Sequence, residues 1–191
     1  MRTRGILLKE IVVAVRTVAA PEQSQPMTLR IDPMLPADWP VVREIYLEGI
    51  ATRQATFETE APAWEAWDAA HLPFARLIAR GGDTVVGWAA LSPVSARKAY
   101  ASVAEVSVYV AQSQRGLGLG RQLLEALVAE SEENGIWSLQ AVMFPENAAS
   151  IALHRRCGFR EVGRRERIGK LDGRWRDTIL LERRSRRIGI D

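Results

Sequence analysis

The chain has 191 residues, 47% hydrophobic and 26% charged, with a formal net charge of +3; these values suit one folded domain with a sizeable core and exclude a disordered or strongly polyanionic chain. A single cysteine, Cys157, excludes an intrachain disulfide, and two histidines, His71 and His154, leave no zinc-type cluster, so no metal is expected. No apolar run approaches the roughly 20 residues of a membrane span, and with one cysteine the expectation is a cytoplasmic protein without membrane contact.

The first 26 residues stand apart. MRTRGILLKEIVVAVRTVAAP starts like a signal peptide, with a basic start, an apolar stretch and an Ala-Ala end. Lys9 and Glu10 interrupt the stretch, which a signal core does not tolerate, so a mobile extension or an extra edge strand (Ile11 to Val15) is expected instead. A polar PEQSQP linker follows, and Met27 is a candidate start for a single domain over residues 27–184, with 185–191 as a basic tail.

From there Thr28 to Ile31 reads as a short strand. Pro36-Ala-Asp-Trp opens a helix through Thr52, with Val42, Ile45, Tyr46 and Gly49 on one face. ATFETE is a connecting loop, and Pro62 starts a second helix through Leu72. FARLIAR and TVVGWAALSPV form a hairpin around Gly81-Gly82-Asp83. SARKAY is a loop and ASVAEVSVYVA a long strand. Leu117 to Asn134 is an amphipathic helix: Leu123, Leu124, Leu127 and Val128 are its apolar side, Glu125, Glu130, Glu132 and Glu133 its polar side, and Asn134-Gly135 its end. SLQAVMF is a buried strand, and Asn147 to Cys157 a helix stopped by Gly158. Strands from Arg160 to Gly169 and Trp175 to Glu182, joined at Leu171-Asp172-Gly173, complete a mixed α+β order rather than strict β-α-β-α alternation. Trp39, Trp64, Trp67 and Trp88 read as packing residues, and Cys157 as core.

Between the long strand and the amphipathic helix stands QSQRGLGLGRQLL, with Gly116, Gly118 and Gly120 at alternate positions. A Walker A loop needs Lys-Ser/Thr after its last glycine, and here Arg121-Gln122 follows. A dinucleotide fingerprint needs its third glycine at position 121, where Arg is too bulky, and its ribose-binding acid near position 140, which is Gln140. What remains is R-x-x-G-x-G, from Arg115 to Gly120, closing a strand and opening a helix. Successive backbone N–H groups there converge on an anion, with the helix dipole and the charges of Arg115 and Arg121 adding to the attraction.

Alternation in VAEVSVYV puts Ala104, Val106, Val108 and Val110 on one face and Glu105, Ser107 and Tyr109 on the other. Glu105 is then either a surface charge or a base beside the anion loop. Asn147, Ser150, Ile151 and His154 share one helical face. Asn147 reads as an N-cap or a ligand contact, and His154 as a surface residue or an acid whose imidazolium the helix C-terminus favours. The RRSRR run from Arg183 to Arg187 has no interleaved aromatics and reads as a solvated face rather than a nucleic-acid patch.

The loop, together with SPVSARKAY, AEVSVYV, NAASIALHRRCGF and GRWRD, resembles the GCN5-related N-acetyltransferases, and within them the phosphinothricin and methionine-sulfoximine acetyltransferase branch. The resemblance covers Thr28 to about Arg183. It implies a mostly antiparallel, twisted sheet of about six or seven strands flanked by about four helices, acetyl-CoA as co-substrate, a small amino-acid-like amine as acceptor, and a homodimer. It implies a pyrophosphate site over Arg115, Gly116, Leu117, Gly118, Leu119, Gly120 and Arg121, and further cofactor contacts at Val108, Tyr109, Val110, Asn147 and Ser150, with the Val108 N–H a candidate oxyanion donor. Glu105 is the implied general base. Many members have Tyr as general acid where this chain has His154. Phe57, Arg97, Tyr100 and Trp175 match positions near the amino-substrate pocket. The alternatives are another acceptor (a protein N-terminus, an aminoglycoside or a polyamine) and a non-catalytic acyl-CoA-binding regulator.

Overall fold

The computed structural model describes residues 29–190. The expected N-terminal extension, with its strand at Ile11 to Val15, lies outside the described residues. The elements in chain order are β1 (Leu29–Pro33), α1 (Trp39–Ala51), α2 (Trp64–Ala70), β2 (Leu77–Gly81), β3 (Thr84–Pro93), β4 (Val103–Val110), α3 (Leu119–Glu133), β5 (Ser138–Met143), α4 (Ala148–Arg156), β6 (Arg160–Leu171) and β7 (Arg174–Arg184). They follow the sequence reading with small changes at the ends. Pro36–Asp38 forms a separate 3-10 turn before α1. The second helix stops at Ala70: His71 is extended, its Nδ1 is 2.6 Å from Trp67 O, and Leu72 precedes a proline.

Seven strands form one sheet in the order β1-β2-β3-β4-β5-β7-β6, antiparallel throughout except for the central β4/β5 pair. Alternation within each strand divides the core in two. On one face Leu119, Leu123, Leu124 and Leu127 of α3 and Ile151 of α4 pack on Ala104, Val106, Leu139, Ala141 and Leu181. On the other, Trp39, Val42 and Ile45 of α1 and Trp67 of α2 pack on Ile78, Val85 and Trp88. The tryptophans are packing residues, as the sequence indicates.

The parallel pair positions the site. β4 and β5 share only the rungs Val103/Ser138, Ala104/Leu139 and Glu105/Gln140. Beyond them β4 stays with β3 as far as Val110, and β5 stays with β7 as far as Met143. The strands therefore part in the middle of the sheet. The β6–β7 hairpin turns at Asp172 and Gly173, both at positive φ (48° and 76°), the geometry of a tight two-residue hairpin turn.

The RRSRR run is docked at Arg183 and Ser185, while Arg184, Arg186 and Arg187 are exposed, as a solvated face requires. Glu132, expected on the polar side of α3, is buried and accepts hydrogen bonds from Arg183 (3.0 Å) and Arg187 (3.3 Å). The Ser185 N–H donates to Trp137 O at 2.6 Å, and Gly189 passes against the Trp137 ring, where a Cβ would lie 2.7 Å from the nearest carbon.

Candidate active site

The Ala111 N–H donates to Val86 O at 2.9 Å. In an antiparallel ladder every second pair exchanges bonds, so Tyr109/Trp88 and Ser107/Ala90 exchange too. The N–H and C=O groups of Val108 and Val110 then point away from β3, into the gap where β5 has left, whereas the Val106 N–H still faces Gln140 on the last shared rung. A side-chain bond to one of them agrees with this: the Arg115 Nε–H donates to Val110 O at 3.1 Å.

At the end of β4 the chain makes a 3-10 turn (Gln112–Gln114), fixed to α1 by a bond from the Gln112 N–H to Glu48 Oε2 at 2.6 Å, and enters the glycine loop. Gly116 and Gly118 both have φ of 82°, and Gly118 is the N-cap of α3. A Cβ at either would meet nothing within 4 Å, so backbone conformation, not space, requires glycine there. Gly120 has a different reason: its Cβ would lie 3.2 Å from Leu153, where α3 crosses α4. Within the loop the Arg121 N–H donates to Gly118 O at 3.1 Å, whereas the N–H groups of residues 116–120 donate to no group of the chain among the described residues. A run of free N–H groups at the N-terminus of a 15-residue helix fits a diphosphate. Leu117 is 63% exposed at the loop tip, Leu119 is buried in the core, and the Nε–H of Arg121 donates to Glu125 at 2.7 Å.

Glu105 stands on the last shared rung, on the α1/α2 face beside Gln140. It is half-buried, and burial raises its carboxyl above the ordinary range, opposed only by the positive charge of Arg165. Tyr109, two rungs further, stacks on Trp88 (4.7 Å) and meets Tyr46 edge-on (4.9 Å); burial pushes both tyrosine hydroxyls up, so they stay protonated.

Asn147 caps α4, accepting the Ser150 N–H on Oδ1 at 3.2 Å, and its Nδ2 donates to Gln54 O at 3.1 Å. One side chain thereby joins the helix next to the glycine loop to the loop after α1. His154 corrects the sequence reading. It is 4% exposed rather than on the surface, and edge-on to Phe159 at 5.0 Å. Nδ1–H donates to Ser150 O at 2.8 Å, and Nε2 is buried without a partner. Burial lowers its pKa, so the ring is neutral and the imidazolium expected from the helix C-terminus does not form near neutral pH.

The four residues matched to the acceptor pocket lie on three segments: the loop after α1, the loop before β4, and β7. Phe57 lies edge-on to Phe144 (4.8 Å) with its ring against Gly169, on the same face as Glu105. Trp175 is exposed at the hairpin tip, with Lys170 Nζ 4.8 Å from its ring centroid. Arg97 and Tyr100 stack on each other at 5.9 Å in the loop before β4, at the opposite end of that strand from the glycine loop. Sequence reasoning passed over Gln140, Gln54 and Arg176, which only strand register and non-local contacts bring to this region. Among the described residues no group of His, Cys, Asp or Glu side chains could hold a metal ion, and no helix is long and apolar enough to cross a membrane.

Residues 39–159 match the Acetyltransferase (GNAT) family. The chain is 36% identical to the L-methionine sulfoximine/L-methionine sulfone acetyltransferase of Pseudomonas aeruginosa over 70% of its own length and 73% of that protein's. It is 35% identical to the phosphinothricin N-acetyltransferase of Alcaligenes faecalis over 76% and 77% of the two chains. A solved phosphinothricin acetyltransferase of Sinorhizobium meliloti, in complex with acetyl-CoA, is 30% identical and superposes with a TM-score of 0.75, over 83% of this chain and 89% of that one. The free β4 edge, the glycine loop at the start of α3 and these relatives agree: the chain belongs to the GNAT family of acetyltransferases.

Proposed function

We propose that the protein transfers the acetyl group of acetyl-CoA directly to the amine of a small amino-acid-like acceptor of the phosphinothricin, methionine sulfoximine or methionine sulfone type. The observation that carries this reading is the position of Glu105, its carboxyl raised by burial, on the last β4/β5 rung, beside the free backbone groups of Val108. The printed activities of the relatives support the acceptor class.

In this reading the backbone of residues 116–120 holds the diphosphate of acetyl-CoA, and the free edge of β4 aligns the arm that carries the thioester. Glu105 takes a proton from the acceptor ammonium, directly or through one water, and the freed amine attacks the acetyl carbon. The Val108 N–H faces the gap and is the candidate donor to the oxygen on which negative charge develops. The carbon–sulfur bond breaks as the amide forms, and the sulfur leaves as a thiolate that takes up, directly or through water, the second proton the attacking nitrogen sheds. An ordinary thiol pKa of about 8.5 requires no strong acid for that departure. His154, neutral and enclosed, is given a positioning role: through Ser150 it stiffens the first turns of α4.

Thiol release from acetyl-CoA with methionine sulfone, methionine sulfoximine, phosphinothricin and a panel of unrelated amines tests the reading. Release confined to the amino-acid analogues supports it. Release with aminoglycosides or polyamines alone moves the acceptor elsewhere, and acetyl-CoA binding without any release favours a non-catalytic module.

A further inference from the structure

Residues 112–117 lead from β4 into the glycine loop, and most of their hydrogen bonds are local. The Gln114 N–H donates to Ala111 O at 2.9 Å, the Arg115 N–H to Gln112 O at 3.4 Å, and the Arg115 side chain to Val110 O. These bonds fix the shape of the turn but not its place against the rest of the fold. The bond from the Gln112 N–H to Glu48 Oε2, at 2.6 Å and across 64 positions of sequence, does that. Among the described residues no other hydrogen bond joins residues 112–117 to a helix or to a strand other than β4.

Gln112 is also the first residue past the β3 ladder, which ends with the Ala111 N–H on Val86 O. Glu48 is a firm anchor for it, because its neighbours in α1 hold the backbone still. Ile45 and Ile50 are buried, Tyr46 meets the Tyr109 ring edge-on, and Gly49 lies beneath that ring.

Local electrostatics disfavours a carboxylate at this point. The C-terminal end of a helix carries partial negative charge, no basic residue stands in the last turn of α1 to balance it, and the loop beyond Gln112 suits an anion. A surface role alone therefore favours a neutral residue at position 48. The short, charge-assisted bond to Gln112 supplies the contrary reason.

We infer that Glu48 is a positioning residue for acetyl-CoA: its carboxylate fixes the start of the glycine loop to α1 and so sets where the N–H groups of residues 116–120 stand for the diphosphate. This rests on the reading of those groups as the diphosphate site. It gives α1, which packs on the face of the sheet opposite α3, a part in binding the donor through the loop rather than by contact.

The bond can be removed from either side. Glu48→Ala deletes the acceptor. Gln112→Pro deletes the N–H at the first position of a 3-10 turn, where the ring fits, and Ala111 before it is already extended, with ψ of 139°. Dissociation constants are measured by calorimetry for acetyl-CoA and, by competition against it, for S-acetylpantetheine, which has the thioester arm without the diphosphate. Each variant should weaken acetyl-CoA about fivefold or more, the scale of a hydrogen bond to a charged group, and S-acetylpantetheine less than about twofold. The double variant should lose no more than the larger single loss, because both changes remove one bond. Glu48→Gln and Gln112→Ala keep the acceptor oxygen and the N–H, and should bind acetyl-CoA within about twofold of the parent or better. Unaltered affinity in Glu48→Ala, additive losses in the double variant, a Glu48→Gln loss equal to that of Glu48→Ala, or equal weakening of the two ligands overturns the inference. A parent protein that binds acetyl-CoA no more tightly than S-acetylpantetheine overturns the diphosphate reading of the loop instead.

Discussion

Glu105 faces Gln140 on the last rung that β4 and β5 share, and beyond it the two strands separate. The carboxylate is therefore placed where the sheet opens, with burial raising its pKa. Glu105→Gln keeps the shape and removes the base. Turnover should fall by about 10²-fold or more, with the dissociation constant for acetyl-CoA unchanged. Activity within about twofold of the parent would place the base elsewhere. In the parent protein the rate should rise with pH through an ionisation above the ordinary carboxylate value of about 4.3. The positive charge of Arg165 opposes the shift, so Arg165→Ala should move that limb to higher pH.

The loop glycines should separate into two classes. Gly118→Ala forces a side chain into φ of 82°, at about 1–2 kcal/mol, with open space around the new methyl. The protein either bears that strain or relaxes the loop and loses the N–H array, so affinity for acetyl-CoA should drop about tenfold or stability by that amount. Gly120→Val instead presses on Leu153 at the α3–α4 crossing and should lower the melting temperature. Unchanged behaviour in both variants would deny these glycines their assigned reasons.

What the sequence made legible was local. A period of two located Glu105 opposite Val106, and the spacing of three glycines before an amphipathic run located the anion loop. Helical spacing put His154 on the face of Ile151 but did not reveal that Phe159 and the sheet cover that face. The bond from Asn147 to Gln54 and the pairing of Glu132 with Arg183 join residues far apart in the chain, and no local pattern encodes them. Arg97 and Tyr100 came from a motif, and the fold sets them just before β4, at the end of that strand nearer to Glu105 than to the glycine loop.

Burial holds His154, and likewise His71, below the ordinary imidazole pKa. The unfolded chain binds a proton at about pH 6.5, whereas the fold resists it. Well above that pH both states are neutral and the histidines add no pH dependence. As pH falls below it, the unfolded state takes up protons first and stability declines until the lowered folded values are reached. Urea midpoints at pH 7.5, 6.5 and 5.5 should therefore fall slightly over the first interval and more steeply over the second. His154→Phe should reduce that fall, and an equal slope would assign the effect to other groups.

Glu132 anchors the C-terminal segment. Burial alone would raise its carboxyl, but Arg183, Ser185 and Arg187 together hold it below the usual range. Its ionised form therefore favours the fold above the unfolded carboxyl pKa of about 4.3, and this contribution is lost as pH falls through the lowered folded value. Glu132→Gln should cost about 2 kcal/mol near neutral pH, as a lost charged hydrogen-bond pair does, and should expose residues 185–190 to proteolysis. Resistance equal to the parent would mean that the Trp137 contacts alone hold the segment.

Gly49 lies beneath Tyr109: a methyl at its Cβ position would be 2.6 and 2.7 Å from two ring carbons. Helix propensity favours alanine in α1 by about 1 kcal/mol, and overpacking opposes it by about 1–3 kcal/mol. The ring has little room to yield, because it is stacked on Trp88 and edge-on to Tyr46. Packing should win, so Gly49→Ala should lower stability by about 1–2 kcal/mol. Tyr109 belongs to the part of β4 that lines the opened sheet, so the displacement should also weaken acetyl-CoA binding. A double variant, Gly49→Ala with Tyr109→Leu, should recover stability relative to Gly49→Ala alone. If Gly49→Ala by itself stabilises the protein, the ring yields freely and the aromatic stack does not fix β4.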